Sequence, residues 1–243
     1  MADSDCRPLN IALVSYHGCP VARLGEKDTG GMNVYVSNLA KYLGDLGHKV
    51  DVFTRFHDIS DPIVVTLSNN VNVIHLNAGP IDSSKFDLPG YVPEFVDNLM
   101  NYTESSQVSY DLIHSHYWLS GLVGDFLNKS WNIPHISTFH TLAKTKLRAS
   151  AGESESELRF GAERNIMQSC DRILVLTESE SNDIRQLYNI PKSKISVIPA
   201  GVDIEMFAPV PQDEARSELG LESGNILLYV GRIDPIKGLD LLL

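Results

Sequence analysis

The stretch of sequence that decides the fold has two parts separated by a loop. They are Asn10-Ile11-Ala12-Leu13-Val14-Ser15-Tyr16 and Asp28-Thr29-Gly30-Gly31-Met32-Asn33. The first segment is almost continuously apolar, as in a strand that is covered on both faces. After the glycine pair, apolar residues recur at spacings of three and four and form one stripe, which predicts an amphipathic helix up to Gly47. The stripe consists of Met32, Tyr35, Leu39, Leu43 and Leu46. A buried strand that leads into a helix is the first unit of a parallel α/β sheet.

The same alternation continues along the chain. Further strands are predicted at Val50–Arg55, Val71–Leu76, Leu112–His116, Ile133–Phe139, Arg172–Leu176, Ile195–Ile198 and Ile226–Val230. Helices are predicted near Glu94–Gln107, Leu119–Asn128, Ser154–Cys170, Glu178–Leu187 and Asp213–Leu219. The proline and glycine of Ile198-Pro199-Ala200-Gly201-Val202-Asp203 indicate a boundary. We therefore expect a first domain over residues 1–200, and over 201–243 a hinge with the opening strand, loop and helix of a truncated second domain.

Composition excludes several classes of protein. The 243 residues are 43% hydrophobic and 21% charged, which is typical of a soluble globular chain. A formal net charge of −11 argues against nucleic-acid binding. Neither a signal peptide nor an apolar run of about 18 residues is visible, so a cytoplasmic protein is expected and a membrane partner is not. Cys6, Cys19 and Cys170 are too far apart in sequence to indicate a disulfide framework or a zinc site.

The turn before the first helix is a candidate anion site. The unpaired N–H groups and partial positive charge of a helix N-terminus favour anions, and Gly30-Gly31 leaves room for a ligand to approach the backbone. A plain tight turn explains the glycines equally well. Both the GxGxxG spacing of dinucleotide sites and the P-loop are absent, which weakens the readings as a nicotinamide-dependent oxidoreductase or an NTPase.

Polar residues follow two later strands and should meet at the same edge of the sheet. They are His114, His116, Tyr117 and Trp118 after one strand, and His140, Thr141, Lys144, Lys146 and Arg148 after the next. A metal pair at the two histidines is conceivable, but no cysteine or carboxylate nearby in sequence completes it, so no metal is expected. The basic run is either a solvated face or a phosphate site.

The last candidates lie on the following helix and near the C-terminus. Glu153, Glu155 and Glu157 are interpreted as helix-capping acids rather than catalytic ones. Arg159 either pairs with Glu163, four residues on, or faces the cleft. After Gly231, Arg232 and Lys237 are either ordinary surface cations or groups suited to a leaving diphosphate.

Taken together, these motifs resemble one family. They are Gly30-Gly31-Met32-Asn33-Val34-Tyr35-Val36, His114-Ser115-His116-Tyr117-Trp118-Leu119-Ser120-Gly121, Phe139-His140-Thr141-Leu142, Ile198-Pro199-Ala200-Gly201-Val202-Asp203 and Val230-Gly231-Arg232-Ile233-Asp234-Pro235-Ile236-Lys237-Gly238. In this order they resemble the retaining nucleotide-sugar glycosyltransferases of the GT-B type (glycosyltransferase family four), most closely the branch that acts on inositol phosphate and next the sucrose-phosphate synthases. The resemblance implies two Rossmann-like lobes with the active site between them, of which this chain supplies the first lobe and the start of the second.

The resemblance also implies roles for individual residues. His140 would lie near the anomeric carbon of the sugar, and Arg232 and Lys237 would neutralise the leaving diphosphate; these three form the implied catalytic set. Gly31 joins the two cations at the donor phosphates. The implied acceptor-binding residues are His17, Asn33, Lys85, Tyr117, Thr141 and Arg159. No covalent nucleophile and no cofactor is implied, since the nucleotide sugar is a co-substrate.

The resemblance predicts that the full-length protein moves a sugar from a nucleoside diphosphate sugar, expected to be a UDP-sugar, onto a phosphorylated or polyol acceptor such as inositol phosphate. The acidic pair that holds the donor in this family would lie beyond Leu243, so the chain alone is expected to be inactive. A sucrose-phosphate-synthase-like transferase and a solitary ligand-binding lobe are the alternatives. The oligomeric state is left open, a homodimer included.

Overall fold

The computed structural model describes residues 7–23, 29–149, 156–231 and 238–242. Its strands are β1 Asn10–Val14, β2 Lys49–Arg55, β3 Val64–Ser68, β4 Val71–Leu76, β5 Leu112–His116, β6 His135–Thr138, β7 Arg172–Val175 and β8 Ile195–Val197. Its helices are α1 Gly31–Asp45, α2 Val92–Ser105, α3 Trp118–Trp131, α4 Ala143–Ala149, α5 Glu157–Ser169, α6 Glu178–Tyr188, α7 Gln212–Glu218 and α8 Leu239–Leu242. Two short 3-10 turns are Leu88–Tyr91 and Lys192–Lys194.

The strands form one eight-stranded sheet in the order β3-β4-β2-β1-β5-β6-β7-β8. All neighbours are parallel except the edge pair β3 and β4. If β3 is left out and the seven parallel strands are renumbered along the chain, their order in the sheet is 3-2-1-4-5-6-7. This is the doubly wound arrangement of a Rossmann-like fold. The predicted α/β class with a parallel sheet flanked by helices is confirmed.

Both faces of the sheet are covered, as the continuous apolar strands predict. In β1, Ile11 and Leu13 pack with Val36 and Ala40 of α1 in one buried cluster. Their neighbours Ala12 and Val14 point the other way, into a larger cluster with side chains of α2, α3, α5 and α6. This alternation follows from the two-residue period of a strand.

The buried stripe of α1 differs from the predicted one by one residue along the helix. Asn33, Val36, Ala40 and Gly44 are buried, whereas Leu46 is 66% exposed. Small residues let the helix lie close to the sheet: a Cβ added to Gly44 would be 2.5 Å from Val71 Cγ2 and 2.6 Å from the Asn69 carbonyl oxygen. Close backbone approach, rather than side-chain size, decides which face is covered.

Two predictions about strands are corrected. The antiparallel strand β3 was not predicted, because its side chains are half-buried or exposed and give no continuous apolar run. The predicted strand at Ile226–Val230 is not formed, and its apolar side chains are exposed, Leu228 by 78% and Val230 by 85%. An isolated strand cannot satisfy its backbone or bury its side chains without a neighbouring strand.

Within the described ranges, every helix falls short of the length and apolar character that crossing a membrane requires.

Candidate functional site

The carboxyl ends of β1, β5 and β6 bring most of the candidate residues together. His17 follows β1, Tyr117 follows β5, and His140 and Thr141 follow β6. β1 and β5 are neighbours in the sheet, and the chain leaves them in opposite directions, toward β2 and toward β6. Ligands of doubly wound sheets bind in the crevice at such a point. The rings of His17 and Tyr117 meet there, with their centroids 4.7 Å apart.

Asn33 fixes the start of α1 against the loop after β1. Its side chain accepts a hydrogen bond from the Gly30 N–H at 3.1 Å and donates one to the Cys19 carbonyl at 2.9 Å. Gly18 in that loop packs closely against the start of α1, since an added Cβ would lie 2.4 Å from Met32 Cε and would require the methionine side chain to move. Cβ atoms added to Gly30 and Gly31 would meet open space instead. The positive end of α1 is therefore accessible to an anion.

A cavity of about 360 Å³ opens beside this helix start. It lies between the loops that follow β1, β2 and β4. Its lining residues are His17, Cys19, Ala22, Thr29, Asn33, Arg55, His57, Ile81, Asp82, Ser83 and Leu88. His17 therefore connects the cavity, which it lines, with the Tyr117 ring, which it contacts.

Arg55 shapes the far wall of the cavity. Its Nε donates to the Ala78 carbonyl at 2.6 Å, its Nη1 to the Ile81 carbonyl at 3.3 Å, and its Nη2 to the Pro80 carbonyl. Burial lowers the pKa of this guanidinium, which nevertheless stays protonated. The side chain of Arg55 thus holds the backbone of the loop that follows β4.

Arg159, on α5, contacts the same Tyr117 ring as His17 does. Its Nε donates to Glu163 Oε1 at 2.8 Å, so the predicted pairing of the two side chains is confirmed. Its Nη2 donates to both the carbonyl and the hydroxyl oxygen of Thr141, at 3.1 and 3.2 Å. The guanidinium carbon lies 5.0 Å from the centre of the Tyr117 ring. We call Tyr117, Thr141 and Arg159 the Arg159 cluster.

Glu163 and Tyr188 hold Arg159 in place from behind. Glu163 is fully buried and also accepts hydrogen bonds from the Ala143 N–H, at 3.1 Å, and from the Tyr188 hydroxyl. Tyr188 in turn accepts from the Lys144 N–H at 3.3 Å. A buried carboxylate with this many donors fixes the guanidinium geometrically as well as electrostatically.

Two residues of the site have a positive backbone φ. Tyr117 has a φ of 75° and His140 a φ of 61°. The other residues with positive φ, apart from glycines, are three asparagines and one glutamine among the described residues. Asparagine and histidine are among the side chains most often found in this region, but a tyrosine is strained in it, typically by about 1–3 kcal/mol. With this backbone conformation, the Tyr117 ring contacts both His17 and Arg159.

Three histidines form a buried group beside the Arg159 cluster. His116 Nδ1 and His140 Nε2 share a hydrogen bond of 3.0 Å, and His114 Nε2 bonds the Thr138 hydroxyl at 2.9 Å. Tyr35 of α1 packs edge-on against His140, with ring centroids 5.2 Å apart. Burial lowers the pKa of His114 to about 3 and that of His140 to about 4, and it also lowers the pKa of His116 well below its ordinary value. All three are neutral at pH 7.

The basic run after β6 forms the helix α4, which was not predicted, and two of its cations turn away from the cluster. Lys144 Nζ donates to the Leu187 carbonyl at 2.6 Å and lies over the Tyr188 ring. Arg148 pairs with Asp183 of α6 at 2.8 Å. These two cations serve packing between helices, so the reading of the run as a phosphate site is not favoured.

The implied site residues thus fall into three groups. His17, Asn33, Tyr117, Thr141, Arg159 and His140 converge at the carboxyl edge, with Gly31 at the open end of α1. Lys85 is exposed on the loop that Arg55 holds, close in sequence to the cavity-lining residues 81–83. Arg232 and Lys237 lie outside the described residues, as do Glu153 and Glu155. The contacts of all of them with a ligand stay predictions.

Several residues of the site were missed by the sequence reasoning, namely Tyr35, Arg55 and Tyr188. Arg55 could have been found, since an arginine at the end of a buried apolar strand requires buried partners. Tyr188 lies 25 residues from Glu163 in sequence, and no local pattern joins the two.

Comparisons with known proteins give matches over most of the chain. The profile of the family described as Glycosyltransferase Family 4 matches residues 29–206. A D-inositol 3-phosphate glycosyltransferase from Thermobispora bispora is 38% identical over all of this chain and 58% of its own length. One from Kineococcus radiotolerans is 40% identical over 96% of this chain and 55% of its own length. The solved structure of a sucrose-phosphate synthase from Thermosynechococcus elongatus superposes with a TM-score of 0.87 at 35% identity, over 96% of this chain and 58% of that one.

The chain therefore spans little more than half the length of the relatives that it matches.

Proposed function

Because the chain belongs to glycosyltransferase family 4, we propose that the full-length protein transfers a sugar from a nucleoside diphosphate sugar to a phosphorylated acceptor, with inositol phosphate the leading candidate. The Arg159 cluster carries this proposal. It presents a guanidinium, a threonine and a tyrosine ring together at the carboxyl edge of the sheet. A fixed guanidinium that is oriented by a buried carboxylate is suited to a phosphate monoester.

The acceptor ring would occupy the cavity next to the cluster. His17 joins the two parts, since it lines the cavity and contacts Tyr117. Asn33 reaches the same cavity from the first turn of α1. In this arrangement the phosphate lies toward Arg159 and the hydroxyl groups of the ring lie toward His17 and Asn33. Positioning of this kind raises the rate by holding the acceptor oxygen near the sugar.

The donor phosphates would lie at the open end of α1, near Gly31. Unpaired N–H groups and the helix dipole stabilise negative charge there without a metal ion or a covalent intermediate. Arg232 and Lys237 would supply the remaining charge, as the resemblance implies. His140 is neutral, so its part would be to hydrogen-bond the transferred sugar rather than to supply a positive charge. The reaction would retain the anomeric configuration, and a UDP-sugar is the expected donor.

A turnover assay of the full-length protein tests this proposal. UDP-sugars would be offered with inositol phosphate, with unphosphorylated inositol and with a hexose phosphate, and the products examined by NMR. We expect transfer to inositol phosphate with retained configuration, and a strong loss of turnover when Arg232 or Lys237 is replaced by Met. Inverted product, or wild-type rates in both variants, would overturn the mechanism.

A sucrose-phosphate-synthase-like transferase is the second candidate, and the solved structure with a TM-score of 0.87 favours it. The hexose phosphate arm of the same assay separates the two readings. The 243-residue chain alone is expected to be inactive and to bind inositol phosphate in a calorimetric titration. No heat at millimolar ligand would count against a ligand-binding role of the isolated chain.

A further inference from the structure

Three potential metal ligands converge at the wall of the cavity, although they come from separate parts of the sequence. Cys19 lies in the loop after β1, His57 follows β2, and His75 is in β4. One ligand atom from each residue lies within 4.8 Å of the other two. β2 and β4 are neighbours, and β1 is next to β2, which explains why these segments meet.

The imidazole of His75 is already oriented toward Cys19. Its Nε2 lies 3.3 Å from Cys19 Sγ, while its Nδ1 lies 2.8 Å from the Pro62 carbonyl oxygen. A carbonyl partner fixes the proton on Nδ1 and leaves the lone pair of Nε2 for a metal, as is usual for metal-binding histidines. In a tetrahedral zinc site, the standard bond lengths place a sulfur and a nitrogen ligand about 3.5 Å apart. The observed separation is close to this value.

His57 is oriented in a similar way by a carboxylate. Its Nδ1 lies 2.7 Å from Asp61 Oδ2, which also accepts a hydrogen bond from the Asp58 N–H at 3.0 Å. This arrangement leaves Nε2 as the nitrogen with an available lone pair. A thiol–imidazole hydrogen bond alone would explain the contact between Cys19 and His75, but it would not explain a third ligand with its own carboxylate partner.

The environment suits a partly open site. Cys19 and His75 are 3% and 1% exposed, whereas His57 is exposed, and Cys19 and His57 both line the cavity. A water molecule or another oxygen ligand can therefore approach from the cavity. One thiolate and two imidazoles are a ligand set for zinc, and a site with three protein ligands retains an open fourth position.

We propose that Cys19, His57 and His75 bind one Zn²⁺ ion, with the fourth position open to the cavity. The Zn²⁺ ion displaces the thiol proton of Cys19, which is released to solvent, and the sulfur binds the metal as thiolate. The site is separate from the Arg159 cluster, and its existence does not depend on the proposed transfer reaction. It departs from the expectation from sequence that no metal binds, which rested on the distance between the cysteines along the chain and on the lack of a further ligand near His114 and His116 in sequence.

Titration of the chelator-treated chain with Co²⁺, followed by displacement with Zn²⁺, tests this site. Co²⁺ bound by a thiolate produces a charge-transfer band in the near ultraviolet. We expect a band that saturates at one equivalent, is abolished by Zn²⁺, is absent in Cys19→Ser and is retained in Cys170→Ser, a matched change at the second free cysteine that is buried among the described residues.

The exposed residue His57 provides the variant that is safest for folding. His57→Ala should keep the circular dichroism spectrum of the wild type and weaken Zn²⁺ binding at least ten-fold. Absence of the band in the wild-type chain, or equal Zn²⁺ affinity in the wild type, His57→Ala and Cys19→Ser, would overturn the proposal. Equal affinity would show that the metal binds elsewhere on the surface.

Discussion

Arg55 and Arg159 are both buried at the carboxyl edge of the sheet, 8% and 4% exposed, yet their partners differ. Arg55 donates from each of its nitrogens to a backbone carbonyl of one loop. Arg159 pairs with the carboxylate of Glu163 and contacts side chains of two strand ends. The comparison shows that a buried cation at a ligand-binding edge is not by itself a ligand-binding group. The groups that a buried arginine contacts distinguish one that holds a loop, such as Arg55, from a candidate phosphate-binding group, such as Arg159.

Removal of Arg159 should have the largest effect. In Arg159→Met, the carboxylate of Glu163 stays buried without its charge partner, and breaking such a pair typically costs about 3–5 kcal/mol. We expect a loss of that size in the free energy of unfolding, measured with urea.

The double variant Arg159→Met/Glu163→Gln is the control, because it removes both charges. It should recover most of the stability. If the double variant were as unstable as the single one, the ion pair would not be what Arg159 contributes.

Removal of Arg55 should have a smaller effect and one of a different kind. Arg55→Met loses hydrogen bonds from a charged group, each worth about 1.5–3 kcal/mol and not additive. We expect a loss of about 2–3 kcal/mol and a raised KM for the acceptor, with kcat little changed, because the loop that borders the cavity loosens. A large fall in kcat with KM unchanged would instead place Arg55 among the groups that act in the transition state.

The histidine group beside the Arg159 cluster should make stability depend on pH. The pKa of His114 falls from its ordinary value of 6.5 to about 3, and that of His140 to about 4. Since the unfolded chain takes up these protons first, the stabilisation is complete above about pH 6.5 and is lost as the pH falls toward the folded-state values. In this pH window, each of the two histidines lowers the free energy of unfolding by about 1.4 kcal/mol for every unit by which the pH falls.

Unfolding by urea at pH 7.0 and at pH 5.5 measures this slope. In His114→Asn the difference in stability between the two conditions should shrink by about 1.4 kcal/mol, the share of one histidine over one unit below pH 6.5. An unchanged difference would mean that His114 is already protonated, or accessible to water, in the folded protein.

The smallest effect is expected from Tyr188→Phe. Glu163 then loses one hydrogen bond but keeps those from Arg159 and Ala143, so the loss should be about 1 kcal/mol, below the ~1.5–3 kcal/mol usual for a charged partner because two donors still satisfy the carboxylate. Tyr42→Phe is the matched control, since Tyr42 is 59% exposed and should show no change. Equal stabilities of the two variants would show that the hydroxyl of Tyr188 does not support the ion pair.

The fold was largely predictable, because continuous apolar strands and amphipathic helices are local patterns. The exceptions have physical reasons. The edge strand β3 has only a half-buried face, formed by Val65 and Leu67, although the turn at Asn69-Asn70 between two short runs is a hairpin signal. The apolar run Ile226–Val230 has the composition of a strand but no partner strand among the described residues.

The site was predictable in part. The resemblance of motifs pointed to Tyr117, Thr141 and Arg159. Tyr117 and Thr141 follow neighbouring parallel strands, which end at the same edge of the sheet, so their proximity was predictable. The backbone strain at Tyr117 and the convergence of Cys19, His57 and His75 depend on the tertiary packing of segments far apart in sequence. No local pattern encodes either.

Calorimetric titration of the full-length protein tests the central claim, that the Arg159 cluster binds the phosphate of the acceptor. Inositol phosphate and inositol would be titrated into the wild type and into Arg159→Met/Glu163→Gln, which keeps its fold by the argument above. We predict that the wild type prefers the phosphorylated ligand by at least ten-fold, and that the double variant loses this preference while its affinity for inositol changes little. An undiminished preference in the double variant would contradict the account, because the phosphate would then be bound elsewhere.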